Sequence, residues 1–154
     1  MFKFFVIILL AGAVIGGYVL GGGRKTEAFH GYEKFADALH NARWVQAEAM
    51  ASGDAAFAAI DAERAVERAM GGNTYKQVVG VVVNSDRKVE SETVSADGKT
   101  DTLEVTELAR RGPETMAPIG PATVKFHTKV VMVLTDAGWR VDSCVEEATP
   151  LTGD

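Results

Sequence analysis

Cysteine and histidine, the residues that most often mark metal and nucleophile sites, are scarce in this sequence. The chain of 154 residues has one cysteine, Cys144, and three histidines. A single cysteine excludes an internal disulfide framework, and neither a C-x-x-C nor an H-x-x-x-H pattern is present. We therefore expect no metal site and no other cofactor, and the sequence identifies no catalytic residue.

The three histidines do not combine into a site. His30 and His40 lie on one predicted helix, ten positions apart, which separates them by about 15 Å along the axis. His127 lies on a predicted strand, on the face opposite Phe126, where we expect it to be solvated. None of them is expected to bind a ligand.

Acidic side chains are the more plausible source of acid–base chemistry, because an isomerase-like cavity needs a carboxylate with a raised pKa. The candidates are Asp37, Asp54, Asp61 and Asp142. Asp54 is more simply explained as a helix cap, and Asp142 is expected to alternate outward from the core. Cys144 also alternates outward in this pattern, and we expect a partly buried, unreactive thiol.

Basic residues are outnumbered, at 16 against 21 acidic residues. Three of the basic residues, Lys3, Arg24 and Lys25, flank an apolar segment, so the chain from Thr26 onward has 13 basic against 21 acidic residues. Binding to nucleic acid depends on neutralising phosphates, which an acidic domain does not favour. The three flanking charges are better suited to the edge of a membrane.

Charge is entirely missing from residues 4–23, a run of 20 residues. At about 1.5 Å per residue this run can cross a hydrocarbon core of about 30 Å, and it is longer than the usual apolar core of a signal peptide. We expect residues 1–25 to be a retained transmembrane anchor. A cleaved signal ahead of a secreted soluble domain is the alternative.

The small residues of this run favour one half of a helix. Gly12 and Gly16 form one G-x-x-x-G pattern and Gly17 and Gly21 another, with Ala13 between the two rows. Small residues let membrane helices approach closely, so this band predicts packing against another membrane helix or a homodimer. Glycine and alanine are also common in membrane helices that have no partner, which leaves the alternative open.

Basic residues flank both ends of the run, so the count of positive charges does not decide its orientation. A very short N-terminus before one anchor and a folded domain favours export of the domain. We expect a single-pass protein of a bacterial inner membrane with a periplasmic, or otherwise extracytoplasmic, domain.

Two helices are predicted after the anchor. Thr26 is suited to cap the first, which should begin at Glu27 and end near Gly53. The second should follow Asp54 and end before residues 71–73. The positions expected to face the core are Phe29, Tyr32, Phe35, Leu39, Phe57, Ile60, Val66 and Met70.

The period of the apolar residues then changes from helical to alternating. Strands are predicted in residues 75–83, 89–96, 102–110 and 124–134, with a return strand from Trp139, and Asp97-Gly98 and Asp136-Ala137-Gly138 as turns. Trp139, Val141 and Val145 should face the core together. The expected fold is α+β, with two helices on a curved antiparallel sheet of four to five strands in residues 26–148 and a tail in 149–154.

The SGD break between the helices and the closing VKFHTKVVMVLTDAGWRVDSCVEE resemble the NTF2-like superfamily. A cystatin-like or other helix-on-sheet fold fits nearly as well. The resemblance implies a cone-shaped cavity whose open end Trp139 plugs. The residues expected to fill the core or cavity are Trp44, Phe126, Met132 and Trp139.

The loop of residues 111–121 has three prolines and two glycines. Met116 and Ile119 are apolar residues in a stiffened loop, and Arg110 and Arg111 stand beside it, so these four residues could contact a partner at low ordering cost. Solvation of the two arginines and burial of the two apolar residues in the core are the alternatives.

The superfamily includes isomerases and dehydratases, and also membrane-anchored assembly subunits. The anchor favours the second class: an accessory or scaffolding subunit of a larger inner-membrane complex, whose partners are other integral membrane proteins and lipid. It would not be an enzyme. The alternative is a small-ligand-binding protein or an isomerase- or dehydratase-like enzyme that uses the concave face of the sheet.

Overall fold

A computed structural model of the protein describes residues 26–72, 74, 82–111 and 122–151. In these residues three helices lie on an antiparallel sheet whose four strands follow the order β1-β2-β3-β4, so the α+β class is confirmed. The elements are α1 (Glu27–His40), α2 (Trp44–Met50), α3 (Asp54–Met70), β1 (Val82–Val94), β2 (Thr100–Arg111), β3 (Ala122–Thr135) and β4 (Gly138–Leu151).

Helix α1 begins where the sequence predicts. The side-chain oxygen of Thr26 accepts a hydrogen bond from the backbone N–H of Phe29 at 3.2 Å, and so satisfies one of the free donors at the helix start. Phe29, Tyr32 and Phe35 are at most 1% exposed. This apolar side packs α1 against β3 and β4.

The expectation of one continuous helix from Glu27 to the SGD break is wrong, because α1 ends at His40 and α2 begins at Trp44. The side chains of Asn41 and Arg43 donate to the carbonyl of Asp37 at 2.8 and 3.0 Å, which caps the end of α1. Ala42 has a φ of 54°, a conformation that a continuing helix does not allow.

Helix α3 buries less than expected. Ala56 and Ile60 are 0% exposed, but Phe57 and Val66 are 39% and 44% exposed. Among the described elements the helix packs mainly against β4 and α2, so a narrow stripe of it is covered. Its N-cap is Gly53 rather than Asp54, which lies in the first turn.

The start of α3 is held against a bulge in β4. Val131 pairs with Ser143 and Met132 pairs with Val141, so Asp142 is an extra residue on β4. A Cβ at Gly53 would overlap the carbonyl oxygen of Asp142 and lie 2.9 Å from its carbonyl carbon. Glycine at this position therefore permits a backbone contact that no other residue allows.

Because of this bulge, the residues of β4 after Asp142 face the side of the sheet opposite to the one that the sequence predicts. A two-residue alternation from Val141 puts Val145 in the core, whereas the extra residue at 142 turns it outward, where it is 65% exposed. Cys144 and Glu146 pair with Val130 and Thr128, two buried residues of β3, and so share their face. The outward alternation expected for Cys144 is wrong for the same reason, whereas its expected partial burial is confirmed.

Two strands are longer than the patterns indicate. The structure describes one strand, Val82–Val94, where the sequence suggests two runs, and residues 75–81 lie outside the described residues. Strand β4 continues to Leu151, opposite Thr123, where a tail is expected after residue 148. The turns at Asp97-Gly98 and Asp136-Ala137 are confirmed.

Several expectations lie outside the described residues. They are the span of residues 4–23 with Gly12, Ala13, Gly16, Gly17 and Gly21, the flanking Lys3, Arg24 and Lys25, and the loop residues Met116 and Ile119. Within the part of the chain that the structure describes, no helix is both long and apolar enough to cross a membrane.

Candidate functional site

The sheet face that the helices cover, here called the inner face, carries charged residues. Strand alternation puts Glu107 of β2 on the same face as Leu103 and Val105, and Arg87 of β1 pairs directly opposite Glu107. Glu146 of β4 joins them after the bulge. Together with Asp37 and His40 of α1, these residues form what we call the inner-face cluster: Asp37, His40, Arg87, Glu107 and Glu146.

Arg87 connects two carboxylates of the cluster. Its Nε and Nη2 donate to Glu107 at 2.7 and 3.0 Å, and its Nη1 lies 2.7 Å from Oδ1 of Asp37. The side chain of Glu107 is 0% exposed and that of Arg87 is 5% exposed, whereas that of Asp37 is 49% exposed. This bidentate contact supplies the positive charge that a buried carboxylate such as Glu107 requires.

His40 lies between two carboxylates. Its Nε2 is 2.9 Å from Oε2 of Glu146, and its Nδ1 is 3.7 Å from Oε1 of Glu107, too far for a hydrogen bond. The ring stacks on Phe126 with 4.9 Å between ring centroids. The side chain of His40 is 2% exposed and that of Glu146 is 24% exposed, so the cluster meets solvent at Glu146 on this side.

The electrostatics of the cluster favour a charged imidazole. Burial by itself lowers the pKa of His40, but the nearby carboxylate of Glu107 and the hydrogen bond and charge of Glu146 outweigh it and raise that pKa to about 9. Burial likewise opposes ionisation of Glu107, and His40 and Arg87 nevertheless lower its pKa to about 2. At neutral pH His40 is therefore a cation and a proton donor rather than a general base.

Two hydroxyl groups and one thiol border the cluster. Thr128 donates to Oε2 of Glu146 at 3.5 Å, and the hydroxyl of Tyr32 faces Thr128 without a well-formed hydrogen bond. Burial raises the pKa of Tyr32. Burial, and then the charge of Glu146, raises the pKa of Cys144 to about 12, so its thiol is an unreactive neighbour.

A second polar pair lies on the inner face at the other end of β2. A bulge at Glu90 turns Glu92 toward Asp101, and each carboxyl has a buried oxygen without a hydrogen-bond donor. Burial first, and then Glu92, raises the pKa of Asp101 to about 7. A proton shared between the two carboxyls satisfies both oxygens.

The four residues expected to fill the core or cavity lie in three places. Phe126 and Met132 are on the inner face, 3% and 0% exposed. Trp139 is partly buried, with its Cβ 3.2 Å from where a Cβ on Gly31 would stand. Trp44 starts α2 and donates from Nε1 to Glu67 of α3 at 2.6 Å.

The other sequence candidates lie outside the inner-face cluster, with one exception. Arg110 is exposed at the end of β2, and the backbone of Arg111 pairs with those of Val82 and Ala122. Of the four carboxylates considered for acid–base chemistry, Asp37 alone belongs to the cluster. Asp61 pairs with Arg64, Asp54 lies in the first turn of α3, and Asp142 is the bulge residue.

Sequence reasoning missed Arg87, Glu107 and Glu146 and dismissed His40. A usable signal existed for Glu107, since it follows Leu103 and Val105 at two-residue spacing and so falls on the core face. Glu146 had no such signal, because its face depends on the bulge at Asp142. His40 becomes significant only through partners that are distant in the chain.

Among the described residues, no three His, Cys, Asp or Glu side chains are arranged to hold a metal ion. The cluster suits proton donation and the binding of a polar group near Glu146. A shallow, open depression lined by residues 42–46 lies beside α2, on a different part of the surface.

Comparisons with known proteins identify similar folds. No protein-family model matches the chain, and no curated protein matches it. The crystal structure of the intermembrane space region of the chloroplast protein ARC6 is similar with a TM-score of 0.50 and 21% identity, over 82% of this chain and 99% of that one. The structure of an M. tuberculosis LEH-like epoxide hydrolase gives a TM-score of 0.41 and 19% identity, over 80% of this chain and 83% of that one.

A likeness at these identities extends to the fold alone.

Proposed function

We propose that the protein is a single-pass, membrane-anchored accessory or scaffolding subunit of a larger inner-membrane complex, with an NTF2-like domain on the extracytoplasmic side. Its partners are other integral membrane subunits and lipid, contacted through the small-residue band of residues 12–21 and through the domain surface. It acts by binding rather than by catalysis.

One observation carries this proposal: the described part of the inner face is filled by its own side chains. Phe126 and Met132 are 3% and 0% exposed, and Val130 and Thr128 are 0% exposed. The charges of His40 and Arg87 are matched by carboxylates of the same chain. A carrier or enzyme that used this face would need open volume there, whereas a subunit that acts by contact does not.

The test is to purify the tagged full chain from its native membranes in mild detergent and to identify the proteins that accompany it. The substitution pair Gly16→Leu with Gly17→Leu alters the small-residue band, and Ile8→Leu with Ile15→Leu alters the other half of the predicted helix as a matched control. We expect integral membrane proteins to accompany the wild type and the control and to be lost from the glycine variant.

Recovery of a lone monomer in all three preparations would contradict the proposal. Intact mass of the purified chain separates a retained anchor from a cleaved signal, since cleavage removes more than twenty residues. A cleaved product would exclude the anchor and leave a secreted soluble domain.

A second candidate function, small-ligand binding or isomerase-like chemistry, is favoured by the inner-face cluster. His40 is a buried proton donor beside the partly exposed carboxylate of Glu146. A shifted pKa like that of His40 is typical of functional sites. Native mass spectrometry of the full chain tests it. A bound small molecule should appear as added mass in the wild type and disappear in Glu146→Gln. The mass of the bare chain in both would contradict it.

A further inference from the structure

Helix α1 runs along the inner face in a direction that its contacts define. Near its C-terminus, the ring of His40 stacks on Phe126 with 4.9 Å between centroids. Near its N-terminus, a Cβ on Gly31 would lie 3.0 Å from Cε of Met132. Because β3 passes Phe126 first, then Met132, and ends at Thr135, α1 begins at the end of the sheet where β3 turns into β4.

The turn between β1 and β2 lies at that same end. The backbone N–H of Leu134 donates to the carbonyl of Lys99 at 2.8 Å, which joins the two turns. We call this end the turn end and define it as residues 94–99 and 134–137. The opposite end, where β3 begins and β4 finishes, contains Thr123 and Leu151 and is called the far end.

The length of chain before α1 limits how far the turn end can be from a membrane. Only Arg24 and Lys25 separate the uncharged run of residues 4–23 from Thr26. The three Cα steps from Gly23 to Thr26 span at most about 11 Å. A strand as long as β4 extends for about 45 Å, so the far end lies beyond that reach. This step rests on the membrane anchor proposed above.

We propose that the turn end is a contact surface for the lipid headgroups of the membrane in which the anchor sits. Val94 and Leu134, each 45% exposed, are apolar side chains at this end. The exposed charges in its turns have both signs, with Asp97 and Asp136 against Lys99. These three charges sum to one negative charge, so the apolar side chains beside them suit zwitterionic headgroups and do not require anionic lipid.

Depth-sensitive fluorescence on the full chain in lipid nanodiscs tests this surface. Cys144 is the one native cysteine, so a Cys144→Ala background allows a fluorophore to be attached at a single new cysteine. Asp136→Cys labels the turn end, and Thr149→Cys labels the far end as the matched control, since both positions are exposed. The quencher is phosphatidylcholine with a nitroxide on its headgroup, with and without added phosphatidylglycerol.

We expect loss of fluorescence at position 136 and none at position 149, in both lipid compositions. Equal quenching at the two positions, or quenching at position 149 alone, would overturn the proposal. If quenching at position 136 requires phosphatidylglycerol, the surface needs anionic lipid, which would overturn the proposed contact with zwitterionic headgroups. Flotation of the protein with lipid vesicles is measured first. If the chain does not float, the proposed membrane anchor is contradicted. If it floats but shows no quenching at position 136, the proposed headgroup contact is contradicted and the anchor is not.

A second measurement needs no substitution. The wild-type chain is assembled with a phosphatidylcholine whose headgroup carries a diazirine, irradiated and digested, and lipid adducts are located by mass spectrometry. Adducts are expected in residues 94–99 and 134–137. Adducts confined to residues 122–126 and 147–151 would contradict the proposed surface.

Discussion

Nε2 of His40, at the end of α1, lies 2.9 Å from Oε2 of Glu146 in β4, although 106 positions separate the two residues in the chain. The same helix end reaches β1 through the contact of Asp37 with Arg87. The inner-face cluster thus joins the end of α1 to the first, second and last strands by charged groups.

Removal of Arg87 should be strongly destabilising. Arg87→Met leaves the fully buried carboxylate of Glu107 without its two-pronged partner, and breaking one side of a buried pair costs about 3–5 kcal/mol. Thermal unfolding of the full chain in mild detergent measures the loss. The double variant Arg87→Met with Glu107→Leu should be less destabilised than the sum of the single variants, since no fully buried carboxylate is left unpaired and Asp37 is half exposed.

The matched control for this prediction is Arg64→Met. Arg64 pairs with Glu48 and Asp61, whose side chains are 38% and 69% exposed. Exposed pairs contribute about 0–1 kcal/mol, so the control should unfold nearly as the wild type does. Equal losses at Arg87 and Arg64 would show that burial of the cluster does not matter to stability.

Stability should fall as the pH rises from about 6.5 to about 9. The pKa of His40 is raised in the folded chain to about 9 from 6.5, so its contribution is complete below pH 6.5 and is lost as the pH rises through the folded value. The full loss is of the order of 3 kcal/mol. Glu107 has the opposite effect. Its pKa is lowered to about 2, so stability is lost as the pH falls below about 4.5.

The unfolding free energy measured against pH checks this trend. The ionisable groups around His40 are Tyr32 and Asp37 on α1, Arg87 on β1, Glu107 on β2, and Cys144 and Glu146 on β4. His40→Gln should reduce the fall in unfolding free energy between pH 6.5 and 9. His127→Gln, at an exposed position of β3, should leave this fall unchanged. If the slope is unchanged in His40→Gln, the fall in stability between pH 6.5 and 9 is caused by another group.

Asp101→Asn should stabilise the protein at alkaline pH. The pKa of Asp101 is raised to about 7 from 3.8, so the folded chain binds an extra proton between these values and loses stability as the pH rises through them. An amide can donate to Glu92 without ionising. We expect a gain of about 1–3 kcal/mol at pH 8 and little change at pH 4. Glu104→Gln, on the other face of the same strand, is the control, and an equal gain there would contradict the prediction.

Gly53→Ala should destabilise the contact between α3 and β4. The added methyl group would overlap the backbone carbonyl of Asp142, which cannot move without disturbing the bulge. Overpacking of this kind costs about 1–3 kcal/mol, measured by thermal unfolding. Gly72→Ala is the control, because the nearest atom to its new methyl is 3.6 Å away on the side chain of Glu67. Equal stability of the two variants would show that the close approach is easily relieved.

Local signals in the sequence were reliable where they act over a few residues. Thr26 caps α1 because its side-chain oxygen needs only the N–H of Phe29, three positions later. Asp97-Gly98 turns the chain because Gly98, at a φ of 68°, and the hydrogen bonds of Asp97 are local properties. The change from helical to alternating period likewise predicted helices followed by strands.

Two features of the structure could not be read from the pattern of apolar residues. The end of α1 at His40 depends on side chains of Asn41 and Arg43 that fold back to one carbonyl, and the pattern of apolar residues continues through it. The faces of Cys144, Val145 and Glu146 depend on one extra residue in β4, which a fixed alternation cannot show.

By itself, the amino-acid sequence determined the order of helices and strands, the α+β class and the long uncharged run of residues 4–23, because each follows from composition and short-range periodicity. The tertiary structure alone decided which charges meet on the inner face. His40, Arg87, Glu107 and Glu146 come from four different elements, and their pairing depends on strand register and on a bulge. Only the packed structure removes the water that would otherwise screen these charges, and so only there do their pKa values diverge.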